Sequence, residues 1–303
     1  MFGKVLPPPD EESIASYYVI EKYYTHGFDQ HGKEKLREEN TASRFALLRV
    51  LDKLRTRLAW LGDKSIDIDA DWIKNRFGAP GKQFCDIGCG GGYLLGILTR
   101  AGYSAVGVEP DPAARRVATE RGLKVLEGTA ETLPEEISRQ RFDVVFMLHA
   151  LEHCIDPRNA IWNARSLLSP GGVLVVETPN NAALGMKSAG PSWQWLDVPR
   201  HQNFFTPESL RGICTDAGLH IEATEYTGYA RQFLPEWITI EQRIFDILEK
   251  STDPGHNLPS RNSALKAWWL LLRTALASKE RKYDSVRVLA YAPPANGNAR
   301  AIR

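Results

Sequence analysis

Short apolar runs alternate with longer polar segments in the middle and at the end of the chain. These runs predict seven strands: Gln83–Asp86, Ala105–Glu109, Leu123–Leu126, Phe142–Met147, Val173–Glu177, His220–Tyr226 and Ser285–Tyr291. Helical segments follow most of the early runs, such as Tyr93–Ala101 and Pro112–Arg121. Because alternating strands and helices form parallel sheets, we predict an α/β fold whose sheet is covered by helices on both faces.

Two regions outside this alternation have a helical pattern. In the first, residues 13–77, apolar residues recur at steps of three and four: Phe45, Leu48, Leu51, Leu54 and Leu58. The second lies between the last two predicted strands, with helices around Glu236–Lys250 and Ser263–Ser278. We therefore predict an N-terminal helical arm, residues 1–80, and an α/β domain, residues 81–303, with a helical insertion at about residues 231–282. Their positions suggest that the arm and the insertion form a lid.

One further helix has clear start and stop signals. Thr206 is a favoured N-cap residue, and proline at position 207 suits the first helical position. Gly218 is typical of the residue that follows a helix. These signals predict a helix over Pro207–Ala217.

Composition narrows the range of partners. The 38 basic and 37 acidic residues give a net charge of +1, so no overall field attracts nucleic acid. The four cysteines form no C-x-x-C pair, which indicates reduced thiols and a cytoplasmic protein. The apolar stretch Ala267–Leu272 is too short for a membrane span, which needs about 20 residues. A helix there fits burial against the sheet, which we favour, or peripheral contact with a membrane surface. The sequence leaves the oligomeric state open.

A glycine-rich turn follows the first predicted strand, in the segment Asp86–Gly92. Glycines let the backbone turn sharply and approach a ligand, and the helix that follows offers unpaired N–H groups. The dinucleotide fingerprint G-x-G-x-x-G would require glycine at position 93, which is Tyr93 here. The spacing D-x-G-x-G-x-G therefore favours a smaller, zwitterionic ligand.

Two carboxylates follow the next two strands in matching positions. Glu109 ends the second strand, at a distance from the glycines that suits a carboxylate binding both hydroxyls of a ribose. Glu131 follows the third strand and can accept a hydrogen bond from an adenine amino group. Either residue alone fits a solvated loop carboxylate, but three features on three successive strands favour a nucleoside site.

At these positions the chain resembles a known family. Asp86–Gly92 resembles the first motif of class I S-adenosylmethionine-dependent methyltransferases, and Glu109-Pro110 and Ala130-Glu131 resemble their ribose and adenine contacts. Phe142–Phe146 followed by His149–His153 resembles the fourth strand and loop of a bacterial subgroup. That subgroup includes the ubiquinone-biosynthesis O-methyltransferases and many sugar, lipid and natural-product methyltransferases.

The resemblance implies a Rossmann-like, seven-stranded, mostly parallel sheet with strand order 3-2-1-4-5-7-6, the seventh strand antiparallel. It implies S-adenosyl-L-methionine as the cofactor, at the carboxyl ends of strands 1, 2 and 3. The residues implied to bind it are Asp86, Gly88, Cys89, Gly90, Gly92, Glu109, Pro110, Ala130, Glu131 and Leu148. We expect Cys89 to pack as a small side chain beneath the cofactor rather than to act as a nucleophile.

Three histidines are candidates for acceptor-side chemistry: His149, His153 and His201. Histidine titrates near neutral pH and can remove a proton from a hydroxyl acceptor. If the segment containing the first two is helical, they share one face because they lie four residues apart. A structural role in packing or loop hydrogen bonding stays open for each. Trp193 and Trp195 either line an acceptor pocket or pack within their loop.

His149–His153 also fits the H-x-x-E-H pattern of inverted zinc peptidases. That motif sits on a helix and needs a third ligand, whereas this segment follows a parallel strand, so a peptidase is disfavoured. We expect no metal ion, although divalent-cation binding by Glu152 and His153 stays open.

We therefore predict a methyltransferase that acts on a small-molecule acceptor, a hydroxyl of a glycan, lipid or secondary metabolite. N- or C-methylation is the alternative within the class. The sequence lacks the Asn/Asp-Pro-Pro-Tyr/Phe signature of amino-group methylation after the fourth strand. From another class, a non-catalytic cofactor-binding module is the second hypothesis. Tyr93 disfavours a third, a nicotinamide-dependent oxidoreductase.

Overall fold

The computed structural model describes residues 3–4, 46–251 and 263–293. The strands within them are β1 Gly3–Lys4, β2 Gln83–Ile87, β3 Ser104–Glu109, β4 Val125–Glu127, β5 Phe142–Leu148, β6 Leu168–Pro179, β7 Asn203–Phe204, β8 His220–Thr227 and β9 Ser285–Tyr291. β1 and β7 form a two-stranded ribbon, and the other strands form one seven-stranded sheet.

The order of the large sheet is β4-β3-β2-β5-β6-β9-β8, and β9 alone runs in the opposite direction to the other six strands of this sheet. Counted along that sheet alone, this is the predicted order 3-2-1-4-5-7-6, so the predicted α/β fold is confirmed.

Helices connect these strands and cover both faces of the sheet. The α-helices of the described residues are α1 Ala46–Gly62, α2 Ala70–Phe77, α3 Tyr93–Arg100, α4 Pro112–Glu120, α5 Glu135–Ser138, α6 Pro157–Ser166, α7 Leu184–Ala189, α8 Pro207–Asp216, α9 Pro235–Ser251, α10 Ala264–Ala275 and α11 Lys279–Lys282. Short 3₁₀ helices add Leu151–His153, Gly190–Ser192, Gln194–Leu196 and Ala230–Phe233. No helix of this described part is both long and apolar enough to cross a bilayer.

Most predicted boundaries agree with the structure to within two residues, but the fifth strand begins at Leu168 rather than at Val173, and the third strand begins two residues later than predicted. Gly122 adopts φ 74° after α4, and the N–H of Leu123 donates to the carbonyl of Ala118. Leu123 therefore belongs to the terminal turn of the helix, a common way for helices to end. The strand begins at Val125.

Each face of the sheet has its own apolar core. On one face, Phe84 and Phe146 pack with Ile73 and Phe77 of α2, all at most 5% exposed. The rings of Phe77 and Phe84 meet edge to face, with centroids 5.8 Å apart. Since burying a large apolar side chain contributes about 1.5–3 kcal/mol, α2 is firmly attached to the sheet.

The described helices α1 and α10 pack at a third, smaller core. Leu270 and Leu271 of α10 join Ala59 of α1 and Phe233 there, whereas Trp269 is 60% exposed. Arg55 of α1 is buried, and its side chain donates to the carbonyl of Phe233 at 3.3 Å. The two helical regions are thereby joined through the 3₁₀ helix that follows β8.

Candidate functional site

The glycine turn after β2 requires glycine for two physical reasons. Gly88 and Gly92 have φ of 77° and 78°, in the left-handed region that favours glycine. A Cβ atom at Gly88 would lie 2.7 Å from that of Ala150, and one at Gly92 would lie 2.5 Å from Leu123. Glycine at both positions therefore lets the turn pack closely against these neighbours at the N-terminus of α3.

Cys89 sits inside this turn, against β3. A Cβ at Gly107 would lie 2.4 Å from its sulfur, so the glycine makes the room that the thiol fills. Burial, followed by the nearby Asp86 carboxylate, raises the pKa of the thiol. Cys89 is therefore a packed, protonated side chain, which opposes a nucleophilic role.

Glu109 reaches across the turn from the end of β3. Its carboxylate accepts the N–H of Gly90 at 2.8 Å and that of Asp111 at 3.0 Å. Burial raises the pKa of Glu109, and burial together with the charge of Glu109 raises that of Asp86 to about 7. Two buried carboxylates therefore lie near the ends of adjacent strands beside the glycines, and their oxygens are hydrogen-bond acceptors that fit a hydroxyl-rich, positively charged ligand.

The third cofactor segment is a tight turn held by α6. The side chain of Asn163 donates to the carbonyls of Ala130 and Glu131, both at 2.9 Å. The Glu131 carboxylate accepts the backbone N–H of Asp156 at 2.7 Å. The turn is thus fixed, and one oxygen of the proposed adenine contact is already used within the protein.

The other two cofactor candidates are Pro110, which directly follows β3, and Leu148, at the end of β5. The carbonyl of Pro110 accepts a hydrogen bond from Arg115 at 2.6 Å. Leu148 is the last residue of β5 and pairs with Glu177 of β6.

His149 follows β5 in a left-handed conformation, φ 52°, which is uncommon for a residue with a side chain. Its Nδ1 lies 3.2 Å from a carboxylate oxygen of Glu152 and its Nε2 lies 3.3 Å from one of Glu177. Burial lowers its pKa, but the two carboxylates outweigh that effect and raise the pKa to about 9. The condition of a shared helical face with His153 is not met, because the 3₁₀ helix begins only at Leu151.

A row of buried opposite charges continues from His149 across the sheet. Glu177 accepts a hydrogen bond from Arg287 at 2.7 Å, and Arg287 donates to Glu225 at 3.0 Å. Arg76 of α2 pairs with Glu225 at 2.6 Å. Although burial raises the pKa of Glu177, the cations of Arg287 and His149 lower it to about 2.

His153 and His201 meet in the adjoining loops. Their ring centroids are 4.6 Å apart, nearly perpendicular. The Nδ1 of His153 bonds the carbonyl of Arg200 at 3.1 Å, and that of His201 bonds the carbonyl of Trp195 at 2.8 Å. Burial, followed by His201, lowers the pKa of His153 to about 4. The structure thus brings all three candidate histidines to the loops after β5 and β6.

Trp195 covers this cluster. Its ring stacks on His149 with centroids 5.0 Å apart, and the guanidinium of Arg231 lies 4.9 Å from its ring. Arg231 forms two hydrogen bonds with Asp284, at 2.6 and 2.7 Å. Trp193, by contrast, is 1% exposed and packs within the loop.

Four residues of the acceptor side were not among the predicted site residues: Glu177, Arg231, Asp284 and Arg287. Glu177 carried a usable signal, since a charged residue ends the apolar run Val173–Val176. The other three depend on pairings between distant segments, for which a single sequence gives no signal.

Comparisons with known proteins establish the family of the chain. The profile of a family described as methyltransferase domain matches residues 53–224. A ubiquinone biosynthesis O-methyltransferase of Bradyrhizobium sp. is 34% identical over 157 residues, 49% of this chain and 61% of that protein. One from Pseudomonas paraeruginosa is 34% identical over 164 residues, 50% of this chain and 70% of that protein. The chain spans about three fifths of the length of the relatives from Bradyrhizobium, Cereibacter and Azorhizobium.

A solved structure shares the fold. The crystal structure of a SAM dependent methyltransferase from Archaeoglobus fulgidus superposes with a TM-score of 0.50 and 17% identity, covering 80% of this chain and 94% of that one. Since the family profile covers more than half of the chain, the family is established. The chain belongs to the methyltransferase-domain family, and its fold is that of the class I S-adenosylmethionine-dependent methyltransferases.

Proposed function

We propose that the protein transfers a methyl group from S-adenosylmethionine to a hydroxyl of a small molecule: a glycan, a lipid or a secondary metabolite. One observation carries the proposal. The Glu109 carboxylate bonds the N–H of Gly90 at 2.8 Å, which joins the glycine turn to the end of the neighbouring strand. This arrangement brings a carboxylate and the backbone of the glycine turn together at the carboxyl ends of parallel strands, where ligands bind in such sheets.

The cofactor supplies an electrophilic methyl group on a positively charged sulfonium. We assign Glu109 to the ribose hydroxyls and Asp86 to the positively charged end of the amino acid. The backbone at Gly88, Gly90 and Gly92 allows close approach. The segment holding Pro110, the turn of Ala130 and Glu131, and the side chains of Cys89 and Leu148 complete the assigned contacts.

On the acceptor side, we assign proton removal to His153 and His201, whereas His149, which is protonated at neutral pH because its pKa is about 9, serves to orient the acceptor. A hydroxyl attacks the methyl group better once its proton has been removed. The carboxylates of Glu152 and Glu177 fix the orientation of His149, and Trp195 offers a flat aromatic wall beside it. Holding the acceptor in line with the methyl group is the larger part of such catalysis.

An oxygen acceptor is favoured by the name of the relatives, ubiquinone biosynthesis O-methyltransferase. A cytoplasmic location is favoured by the four cysteines, all free and buried.

We also propose that α1 and α10 belong to a lid on the acceptor side, because the same 3₁₀ helix joins both to the domain. Protection of both helices from limited proteolysis by S-adenosylhomocysteine is expected. Unchanged cleavage would contradict the lid.

Calorimetric titration with S-adenosylmethionine and S-adenosylhomocysteine tests the cofactor site. Because hydrogen bonds to charged groups contribute about 1.5–3 kcal/mol, Glu109→Ala is expected to weaken both affinities by about 10- to 100-fold. The matched control is Glu120→Ala, an exposed carboxylate on α4, and its affinity should equal that of the wild type. Wild-type affinity in Glu109→Ala, or no binding by the unaltered protein, would overturn the assignment.

A methyl-transfer assay over phenols, sugars, alcohols and amines tests the acceptor class. Transfer to hydroxyl compounds is expected. Transfer to amines alone would make the protein an N-methyltransferase. Cofactor binding without transfer to any compound would support the non-catalytic module.

A further inference from the structure

Three side chains that can bind a metal ion converge beside His149. Glu152 and His153 belong to the 3₁₀ helix after β5, whereas His201 comes from the segment just before β7. One ligand atom from each lies within 4.8 Å of the other two. The third ligand that the sequence pattern lacked is therefore supplied by a distant loop.

The Glu152 carboxylate gives an independent reason to expect a ligand here. The residue is 1% exposed, and its Oε1 faces Nδ1 of His149. Its Oε2 is buried and has no hydrogen-bond partner among the described residues. A buried carboxylate oxygen without a partner is costly unless a cation or a donor reaches it.

The two imidazoles are oriented for ligation. A backbone carbonyl can only accept, so the ring nitrogens that face the carbonyls of Arg200 and Trp195 carry the protons. Nε2 of His153 and of His201 then has the lone pair. Metal-binding histidines usually donate their other N–H to such a carbonyl or to a carboxylate, which fixes the tautomer and the ring.

Backbone contacts hold the two segments together. The N–H of Gln202 donates to the carbonyl of Glu152 at 2.8 Å, and its side chain donates to the carbonyl of His153 at 3.3 Å. The side chain of Asn203 donates to the carbonyl of Cys154 at 2.6 Å. The positions of the three candidate ligands are therefore set by the fold.

We propose that Glu152, His153 and His201 bind a divalent transition-metal ion, with Zn²⁺ as the best-fitting probe. Two imidazoles and one carboxylate are ligands that Zn²⁺ accepts at about 2.0–2.2 Å while keeping a further position open, whereas Mg²⁺ prefers oxygen ligands. Tetrahedral ligands at that distance lie about 3.3 Å apart, so the side chains close in on the ion by up to roughly 1.5 Å.

The inference deepens the proposed function and rests on it in one respect only. A hydroxyl bound to a divalent cation loses its proton more easily, and with the ion bound that proton would pass to solvent water, because the ion then occupies Nε2 of both His153 and His201. Binding of the ion itself does not require methyl transfer or cofactor, so the two proposals fail separately.

The test measures metal binding by the full chain after removal of metals with a chelator. Competition with a chromophoric chelator is expected to give one Zn²⁺ per chain. X-ray absorption at the zinc edge is expected to show two imidazoles in a shell of nitrogen and oxygen ligands. Since loss of a mere supporting group costs 10- to 100-fold in metal affinity, His201→Ala is expected to weaken Zn²⁺ binding by at least about 100-fold.

His220→Ala is the matched control, because His220 is an exposed histidine on β8, and its Zn²⁺ affinity should equal that of the wild type. Glu152→Gln removes the charge at nearly constant shape and should also weaken binding. If either ligand variant fails to fold, the stoichiometry and the absorption spectrum of the wild type still decide the question. Absence of Zn²⁺ binding, a spectrum without imidazole, or equal loss in His201→Ala and His220→Ala would overturn the proposal.

Discussion

The cofactor half and the acceptor half of the site satisfy their buried charges in different ways. At the glycine turn, the Glu109 carboxylate accepts hydrogen bonds from the backbone N–H groups of Gly90 and Asp111. On the acceptor side, Glu177 is bonded by the side chains of His149 and Arg287. The cofactor half therefore depends on the conformation of the backbone. The acceptor half depends on side chains that distant segments of the chain bring together. A substitution should therefore act differently in each.

The largest expected effect is on the acceptor half, where Arg287→Met removes the cation between Glu177 and Glu225. Because breaking a buried ion pair leaves uncompensated charge, we expect a loss of about 3–5 kcal/mol in the free energy of unfolding, measured by urea denaturation. The control is Arg158→Met, which breaks an exposed ion pair with Asp216 and should cost less than about 1 kcal/mol. Similar losses in both would show that the buried charge row on the acceptor side contributes no more to stability than an exposed ion pair.

In the cofactor half, shape rather than charge should dominate. Gly107→Ala places a Cβ 2.4 Å from the sulfur of Cys89, so we expect a loss of about 1–3 kcal/mol in the free energy of unfolding. Adding Cys89→Ala should restore part of it. The control Gly212→Ala faces open space on α8 and should not destabilise the protein. A neutral Gly107→Ala would show that the turn is not tightly packed.

Titration of Asp86 should give the cofactor half a pH dependence. Its pKa of about 7 rests on burial and on Glu109, and the ammonium group that we assign to it, which S-adenosylhomocysteine also carries, favours the ionised form. Affinity for S-adenosylhomocysteine should therefore fall as pH drops below about 7, by up to about tenfold per pH unit. Calorimetry from about pH 5.5 to 8.5 measures it, and Asp86→Asn should remove the dependence.

The same ionisation has the opposite sign for stability without cofactor. The folded-state pKa of Asp86 exceeds the unfolded value of about 3.9, so its contribution destabilises the protein progressively as pH rises from about 4 to about 7. At pH 8, Asp86→Asn should therefore unfold at a higher urea concentration than the wild type. A lower midpoint would contradict the raised pKa.

The smallest expected effect comes from a helix cap outside both halves. The hydroxyl of Thr206 accepts the N–H of Ser209 in a capping box at the start of α8. Thr206→Ala should cost about 1 kcal/mol in the free energy of unfolding, with unchanged cofactor affinity. Thr215→Ala, an exposed residue later in the same helix, is the control and should be nearly neutral.

The sequence predicted what contiguous residues determine. The helix that begins at Pro207 was predicted from its cap and is confirmed. The strand order was predicted from the family resemblance and is confirmed by the sheet of the structure. The start of the third strand was wrong, because Leu123 is drawn back into the turn that ends α4. Local patterns do not report that competition between a strand and a helix end.

The acceptor side was predictable as a set of residues but not as an arrangement. The histidines were identified by type, yet the partners of His149 depend on the pairing of β5 with β6. The contact between His153 and His201 joins segments far apart in the chain, through loops without periodic patterns. Only packing brings such groups together, so no spacing rule finds them.

The row of buried charges across the sheet also depends on the register of β9 with its two neighbouring strands. Arg287 of β9 lies directly opposite Glu177 of β6 and Glu225 of β8. Side chains alternate between the two faces of a sheet. A shift of β9 by one residue would therefore turn the Arg287 guanidinium to the opposite face and leave the Glu177 and Glu225 carboxylates buried without their cation. Misalignment of this strand would therefore also release His149 from its anchor, so a chain that has not assembled correctly would lack an organised acceptor side as well.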